Sequence, residues 1–330
     1  MSDPVRLPFP ELIDNSMRSD FTSCPRKFYW AYIRKLTGAA PNIHLHAGGA
    51  FAASLEAAKR AFYEKGLSVD ESLRQGLEAL LRFYGPVQAP VTRSGDKSCD
   101  NVVRAFDSYF KQYPLGRDTF RPHMDANGKA MVEFTFAIPL ELNHPVTGNP
   151  LLYGGRADEI AEGNGMLVIG DEKTTSQLGE QWSKQWVLES QFTGYIKAAR
   201  DYGLPVQMAL IRGVGLLKTK ITHQEAHVYR SQWQIDRWWE QLHRDVKRMI
   251  VCWKDDYFDF ALSKNSCNAY GGCEFSMLTE SPEPEKWIES HYRPRTWNPL
   301  EKDSGEHLLE NPELKKQLES PELFVPGLEQ

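Results

Sequence analysis

The feature that most constrains the fold of this chain is the dipeptide Asn164-Gly165, which stands between two runs of β-forming residues. Asn-Gly in this setting is the strongest short signal for a two-residue β-hairpin turn. If these residues form the loop, opposed residues have numbers that add up to 329. Asp158 then faces Asp171, and Arg156 faces Lys173 in the same register.

This register gathers charged groups on one face of the hairpin. Directly opposed side chains have Cβ atoms about 4.5–5.5 Å apart, so two carboxylates there repel each other unless a cation lies between them. Because side chains alternate along a strand, Lys173 shares the face of Asp171, and Glu172 points to the other face. Carboxylate oxygens suit Mg²⁺ or Mn²⁺, which activate water for hydrolysis. The alternatives are solvated charges on an edge hairpin and a β-bulge that shifts the register.

The rest of the pattern predicts one α/β domain. Helices are expected at about 48–66, 71–84, 99–112, 183–202 and 231–254, and strands at about 131–142, 151–163, 166–175, 206–217 and 224–230. Residues 16–36 are expected to form a loop and then an aromatic-rich helix, with Pro25 in its first turn. The hairpins exclude an all-parallel sheet, so the sheet is predicted to be mixed and flanked by helices.

Composition limits the class of protein. The 330 residues are 41% apolar, which is ample for a sizeable core. No run approaches the roughly 20 apolar residues of a membrane helix, and the N-terminus lacks an apolar run of signal-peptide length. We therefore expect no membrane partner and a cytoplasmic location.

The negative charge is concentrated at the C-terminal end. Residues 281–330 hold 11 acidic and 6 basic side chains, which accounts for the whole net charge of −5, and they include seven prolines. We expect an extended acidic tail there, with one short helix near 305–318. Such a tail is either solvated or contacts a protein partner.

Two segments of the hairpin carry a resemblance to a known family. The run GGRADEI, a turn and LVIGDEKTT resemble motifs II and III of the PD-(D/E)XK nuclease superfamily, in particular the RecB-like exonucleases of CRISPR adaptation and phage recombination. The resemblance implies a restriction-endonuclease-like core with a central mixed sheet and a helical N-terminal region. It also implies Asp158 and Asp171 as ligands of Mg²⁺ or Mn²⁺, and Lys173 as a catalytic residue.

Gln191 and Tyr195 extend the resemblance. They lie four residues apart in ESQFTGYIKAA, hence on one face of a helix, and they match the family's Q-x-x-x-Y signature. The resemblance implies that they contact the metal-bound water and DNA. Ordinary packing is the alternative.

The family's first motif, G-x-x-x-H-x-x-L-E, is only partly present. Gly48 and Glu56 are in place, but Ala52 stands where the metal-binding His belongs. Glu56 is therefore a candidate metal ligand, with a surface charge as the alternative. His44 and His46 lie just upstream; they are expected in a loop, and the alternative is that they substitute for the missing His.

The cysteines raise the question of a [4Fe–4S] cluster. Many relatives hold one with an N-terminal and three C-terminal Cys thiolates. Cys24, Cys267 and Cys273 are present, but Thr279 stands where a final Cys would be expected. The alternative is that the cysteines pack as small hydrophobic residues.

The cationic candidates for DNA contact lie in three places. Arg26 and Lys27 stand among aromatic residues near the N-terminus, Arg156 precedes the first aspartate, and Lys184 begins the helix with Gln191. Cations neutralise phosphates, and aromatic rings can stack on bases. For most of the aromatic rings, however, a place in the core is favoured.

These observations give a domain scheme and three hypotheses. Residues 1–280 are predicted to form the nuclease domain, with a helical part at about 14–115, a catalytic core at about 129–255 and a Cys-containing segment at 256–280. The first hypothesis is a Mg²⁺- or Mn²⁺-dependent DNA exonuclease of phage or prokaryotic recombination, with a recombination or strand-annealing protein as a partner of the tail. The alternatives are a non-catalytic DNA-end-binding or assembly subunit and a structure-selective endonuclease.

Overall fold

The computed structural model describes residues 7–39, 42–85, 97–261, 263–268 and 272–301. Its strands are β1 (Leu12–Ile13), β2 (Leu36–Gly38), β3 (Arg121–Pro122), β4 (Val132–Asn143), β5 (Pro150–Gly163), β6 (Met166–Thr175), β7 (Met208–Leu216), β8 (Ile221–Tyr229) and β9 (Tyr292–Pro294). Its α-helices are α1 (Asn15–Ser23), α2 (Pro25–Phe28), α3 (Ile43–Tyr63), α4 (Val69–Tyr84), α5 (Cys99–Gln112), α6 (Glu180–Lys184), α7 (Ser190–Asp201), α8 (Gln232–Lys254), α9 (Lys264–Cys267), α10 (Ser276–Glu280) and α11 (Glu285–His291). A π-helical turn, Tyr29–Ile33, follows α2.

The predicted hairpin forms the middle of the main sheet. Asn164 and Gly165 have φ values of 50° and 74°, as the two central residues of a type I′ turn require. The strand order is β1-β5-β6-β7-β8, with β3 and β4 also paired to β5. Strands β6 and β7 are parallel, whereas β4–β5, β5–β6 and β7–β8 are antiparallel. The predicted mixed sheet is therefore confirmed.

Helices cover both faces of this sheet. One core joins the sheet to α1, α7 and α8 and contains Ile160, Ile169 and Phe192. The other joins it to α3, α4 and α5 and contains Leu55 and Val214. We call these the α7 face and the α3 face. Among the described residues, no helix combines the length and the apolar character needed to span a membrane.

Three local predictions were wrong. The loop expected after residue 16 is helix α1, which Asp14 begins by accepting the Met17 N–H at 2.7 Å. The helix expected at 183–202 is interrupted between α6 and α7, where Arg230 donates to two backbone carbonyls and stabilises the turns. His44 and His46 lie in α3 and not in a loop, and the His46 ring bonds the Tyr84 carbonyl at 2.8 Å.

The expectation of an extended tail from residue 281 is also wrong for its first part. Helix α11 is followed by β9, which pairs antiparallel with β2 near the start of the chain. Arg34 adds two hydrogen bonds of 2.7 Å to Glu285. The predicted helix at 305–318 lies outside the described residues.

Candidate active site

The backbone ladder of the hairpin follows the predicted register and then stops at the candidate site. It extends from Gly163↔Met166 to Glu159↔Gly170, one pair short of the aspartates. The predicted ladder pairs of Asp158 with Asp171 and of Arg156 with Lys173 are therefore wrong. The reason is local: the Asp158 carboxylate replaces a strand carbonyl and accepts the Glu172 N–H through Oδ2 at 3.1 Å.

Strand β5 also changes phase at this point. Ala157 and Ile160 both belong to the core of the α7 face, although strict alternation would put residues three apart on opposite faces. On the neighbouring strand β4, Glu133 has a φ of 58°. Irregularities of this kind re-aim side chains and are common beside active sites. Here the change of phase turns the Asp158 side chain toward the end of β6.

Asp171 and Lys173 form the centre of the site on the α7 face. Asp171 is 1% exposed, and the Lys173 Nζ lies 2.7 Å from its Oδ1 and 3.0 Å from its Oδ2. Oδ1 is nevertheless buried without a hydrogen bond of good geometry. A buried acceptor in that state costs free energy unless a donor or a cation reaches it, and the Lys173 ammonium is the cation that reaches Oδ1.

The electrostatics of the three groups are linked. Burial raises the pKa of Asp171 to about 7, and the neighbouring Asp158 adds to the rise while Lys173 opposes it. Burial likewise raises the pKa of Asp158, again opposed by Lys173. Burial alone would lower the pKa of Lys173, but the two carboxylates outweigh burial and raise it. The site thus holds two carboxylates close together with one ammonium, which leaves an excess of negative charge.

Helix α7 brings Gln191 and Tyr195 to this centre. The Gln191 Nε2 donates to the Tyr195 hydroxyl at 2.9 Å, as expected for residues four apart on a helix. Tyr195 is buried, and the charges of Asp171 and Asp158 both contribute to the rise of its pKa, of which burial is the main cause. The structure therefore brings five predicted residues together: Asp158, Asp171, Lys173, Gln191 and Tyr195.

A second charged cluster, which the sequence did not reveal, lies directly behind the first on the α3 face. The Lys59 Nζ of helix α3 lies 2.9 Å from Glu159 Oε2 and 2.8 Å from Glu172 Oε1, and the Tyr109 hydroxyl donates to Glu172 at 2.6 Å. A clue was available, since Lys59 follows Leu55 by four residues on the buried side of an Ala-rich helix. A cation on such a face predicts a buried anionic partner.

Other predicted residues have partners elsewhere. Glu56 of α3 bonds the Arg60 Nε at 2.9 Å, and the structure does not group it with the two aspartates as a metal site. Arg156 forms an ion pair with Glu133. Lys184 pairs with Glu180 at 2.5 Å.

The N-terminal cations contact the chain itself. The Arg26 guanidinium lies 4.6 Å from the Phe260 ring centroid, and the Lys27 Nζ lies 2.6 Å from Asp20 Oδ1. The aromatic residues around them are mainly core, as expected: Phe28, Trp30 and Tyr32 are all buried.

The cysteines do not fit an iron–sulfur cluster. Cys267 is exposed, whereas Cys24 and Cys273 are half-buried, and burial raises the pKa of the Cys273 thiol. Thr279, in α10, has no thiolate to offer. Within the described residues, no three His, Cys, Asp or Glu side chains are arranged to hold a metal ion. A cluster would need four such ligands, all as thiolates.

The pair Asp158 and Asp171 does fit one hard divalent cation. Mg²⁺ is commonly held by one or two carboxylates, with waters and substrate phosphate completing its shell. The buried Asp171 Oδ1 forms an ion pair with Lys173 but has no hydrogen bond of good geometry, and the excess of carboxylates over ammonium groups favours a cation there.

One comparison with known proteins identifies a family. A family model of the PD-(D/E)XK nuclease superfamily matches residues 16–278. A solved structure from Eubacterium rectale, provisionally named as an exonuclease, is 14% identical, with 76% of this chain and 84% of that chain covered and a TM-score of 0.39. The structure of SSO0001 is 15% identical, with 70% and 84% covered and a TM-score of 0.30. No curated protein is significantly similar in sequence.

Proposed function

The chain belongs to the PD-(D/E)XK nuclease superfamily, and from that membership we propose that it is a Mg²⁺- or Mn²⁺-dependent deoxyribonuclease. The observation that carries the proposal is the buried Asp171 carboxylate, which interacts with both Asp158 and Lys173 and lies 2.7 Å from the Lys173 ammonium. In this order along two adjacent strands, these residue types supply both the metal ligands and the cation that phosphodiester hydrolysis requires.

The roles of the residues follow from their contacts. A bound divalent metal would lower the pKa of a water molecule and neutralise charge on the phosphate. Asp158 and Asp171 would hold it, and the Glu172 N–H fixes the orientation of Asp158. Lys173 is partly exposed at the edge of the site and would donate to the attacking water or to the phosphate oxygens as negative charge develops on them. Gln191 and Tyr195 would orient that water and the DNA strand.

We further propose that the enzyme is an exonuclease that acts in DNA processing or recombination. The assay compares linear duplex DNA with covalently closed circular DNA in Mg²⁺ or Mn²⁺. The variants are Asp171→Asn and Lys173→Met, beside Lys111→Met as a control that removes an exposed lysine of α5. An exonuclease degrades only the linear substrate, and an endonuclease opens the circle.

We expect the control to cleave like the wild type and both site variants to lose at least about 100-fold in rate, the scale of a lost electrostatic contact in a transition state. Equal cleavage by all four proteins would show that the aspartate–lysine centre is not catalytic. Cleavage of the circle would replace the exonuclease by the structure-selective endonuclease.

One observation favours a second candidate function. Ala52 stands where the family has a metal-binding His, and the nearby Glu56 is paired with Arg60. A non-catalytic DNA-end-binding or assembly subunit would tolerate the loss of this His. In a nuclease, either Glu56 would leave Arg60 to bind the metal, or a water molecule would fill that ligand position. Calorimetry that detects DNA binding but no Mn²⁺ binding would favour this candidate.

The acidic tail is proposed as the contact for a partner of recombination. Most of the net negative charge of this tail lies after residue 301, outside the described residues. A protein truncated after residue 301 that cleaves DNA normally but no longer binds a strand-annealing protein would support the proposal, and unchanged binding would contradict it.

A further inference from the structure

The same point of the sheet carries the same set of charges on both faces. On the α7 face lie Asp158, Asp171 and Lys173, and on the α3 face lie their chain neighbours Glu159 and Glu172 with Lys59. Each face therefore has two carboxylates and one ammonium. Since neighbouring residues of β6 point to opposite faces, the two sets share one stretch of backbone.

The two faces differ in access. On the α3 face the side chains of Lys59, Glu159 and Glu172 are 8%, 4% and 5% exposed. On the α7 face the Lys173 side chain is 29% exposed, and Asp171 has an oxygen without a hydrogen bond. The α3 face is thus closed, and both of its carboxylates contact the Lys59 ammonium, while the α7 face keeps a partly exposed lysine beside its two carboxylates.

The anchoring on the α3 face is tight. The Lys59 ammonium bridges both glutamates, and Tyr109 adds a hydrogen bond to Glu172, which in turn is linked through Tyr109 to Arg212 at 3.4 Å. Gly170, opposite Glu159, has no side chain, and this lets the Glu159 side chain lie across β6 toward Lys59.

One hydrogen bond connects this anchor to the proposed metal ligands. The backbone N–H of Glu172, whose side chain is fixed by Lys59 and Tyr109, donates to the Asp158 carboxylate at 3.1 Å. Holding the side chain of Glu172 on one face therefore holds the donor that orients Asp158 on the other. Asp171 is the preceding residue of the same strand.

We propose that Lys59 is a positioning residue of the metal centre. Its ion pairs with Glu159 and Glu172 set the geometry of Asp158 and Asp171 for metal binding. The proposal rests on the proposed metal-dependent nuclease function. It assigns to Lys59 no contact with substrate or metal.

The test measures Mn²⁺ affinity by calorimetry and the Mn²⁺ dependence of DNA cleavage in Lys59→Met and Tyr109→Phe, with Lys111→Met as the control. Groups that orient metal ligands typically change metal affinity by about 10–100-fold, so we expect Lys59→Met to raise the Kd for Mn²⁺ at least about tenfold. Tyr109→Phe keeps every charge and should raise the Kd in the same direction by less than about tenfold. At saturating Mn²⁺ both variants should regain most of the wild-type kcat, with the KM for DNA unchanged.

The outcomes separate the two proposals. A merely structural role would lower kcat at every Mn²⁺ concentration without changing the Kd, and that result would overturn the positioning role. Wild-type Kd values in both variants, with an active wild type, would do the same and leave the nuclease function intact. If the wild type neither binds Mn²⁺ nor cleaves DNA, both proposals fall. If Lys59→Met does not fold, the Kd of Tyr109→Phe decides.

Discussion

The packing of Glu159 over Gly170 gives a prediction that can be worked out from distances. A Cβ atom added at Gly170 would lie 2.5 Å from Glu159 Cγ and 2.6 Å from its Oε1. Real Cβ atoms do not approach so closely, so Gly170→Ala must displace the Glu159 side chain. That side chain cannot easily move aside, because it is buried and its far oxygen is 2.9 Å from Lys59.

The free-energy cost of Gly170→Ala has two sources, the overpacking against Glu159 and the weakening of the Lys59–Glu159 ion pair. Overpacking a filled site costs about 1–3 kcal/mol, and weakening a buried ion pair adds to it. Since Lys59 keeps its second partner Glu172, the pair is weakened and not abolished. We expect Gly170→Ala to lower the free energy of unfolding by about 2–3 kcal/mol.

A double-mutant cycle isolates the contact. In a Glu159→Ala background the conflicting atoms are gone, and two opposed alanines have Cβ atoms at an ordinary distance of about 4.5–5.5 Å. Gly170→Ala should there be neutral or stabilise by up to about 1 kcal/mol, because an interior strand glycine is less favourable than alanine. The coupling energy is then about 2–4 kcal/mol, at or above the upper end for residues in contact.

The measurement is urea unfolding of the four proteins in EDTA at neutral pH, followed by tryptophan fluorescence. The same cost of Gly170→Ala in both backgrounds would refute the reasoning, since the cost would then come from the backbone of β6 and not from Glu159. A similar m-value in all four proteins is the control that they share one unfolding transition.

Three further predictions concern single groups. Burial raises the pKa of Asp14 from 3.8 to about 6, so its contribution to stability is present at acidic pH and is lost as pH rises through 6. Relative to Asp14→Asn, whose side chain still accepts the Met17 N–H, urea unfolding should show the wild type losing up to about 3 kcal/mol between pH 4 and pH 7; parallel curves would contradict this. Gly165→Ala, at a φ of 74°, should lower the free energy of unfolding by about 1–2 kcal/mol in the same assay, and a neutral effect would argue against the turn. Mn²⁺ at 100 times its Kd should stabilise the wild type by about 2.7 kcal/mol in thermal unfolding and Asp171→Asn hardly at all, whereas equal shifts would place the metal elsewhere.

The sequence predicted the parts of the site that local rules determine. The Asn164-Gly165 turn specified the register of the hairpin, and the ladder follows it up to Glu159. It could not predict that the ladder ends there, because this depends on a side chain replacing a backbone acceptor: Asp158 takes the N–H of Glu172. A rule based on backbone pairing alone cannot anticipate such a substitution.

Long-range partners were the other limit. Lys59 lies 100 residues from Glu159 and 113 from Glu172, and nothing in strand or helix periodicity links them. The family resemblance pointed to Glu56 on the same helix, one turn before. In the structure Glu56 forms an ion pair with Arg60. The buried cation of this helix is Lys59, which lies behind the hairpin and contacts Glu159.

The pairing of β9 with β2 has a consequence for how the chain is made. Leu36–Gly38 leaves the ribosome more than 250 residues before its partner Tyr292–Pro294, so this small sheet can close only after residue 294 has been synthesised. Contacts of such long sequence separation form slowly because a large loop must be closed first. Until then the N-terminal segment presents an unpaired strand edge, and such edges favour misassembly. An expression fragment that stops at residue 278, where the family match ends, would keep that edge permanently exposed.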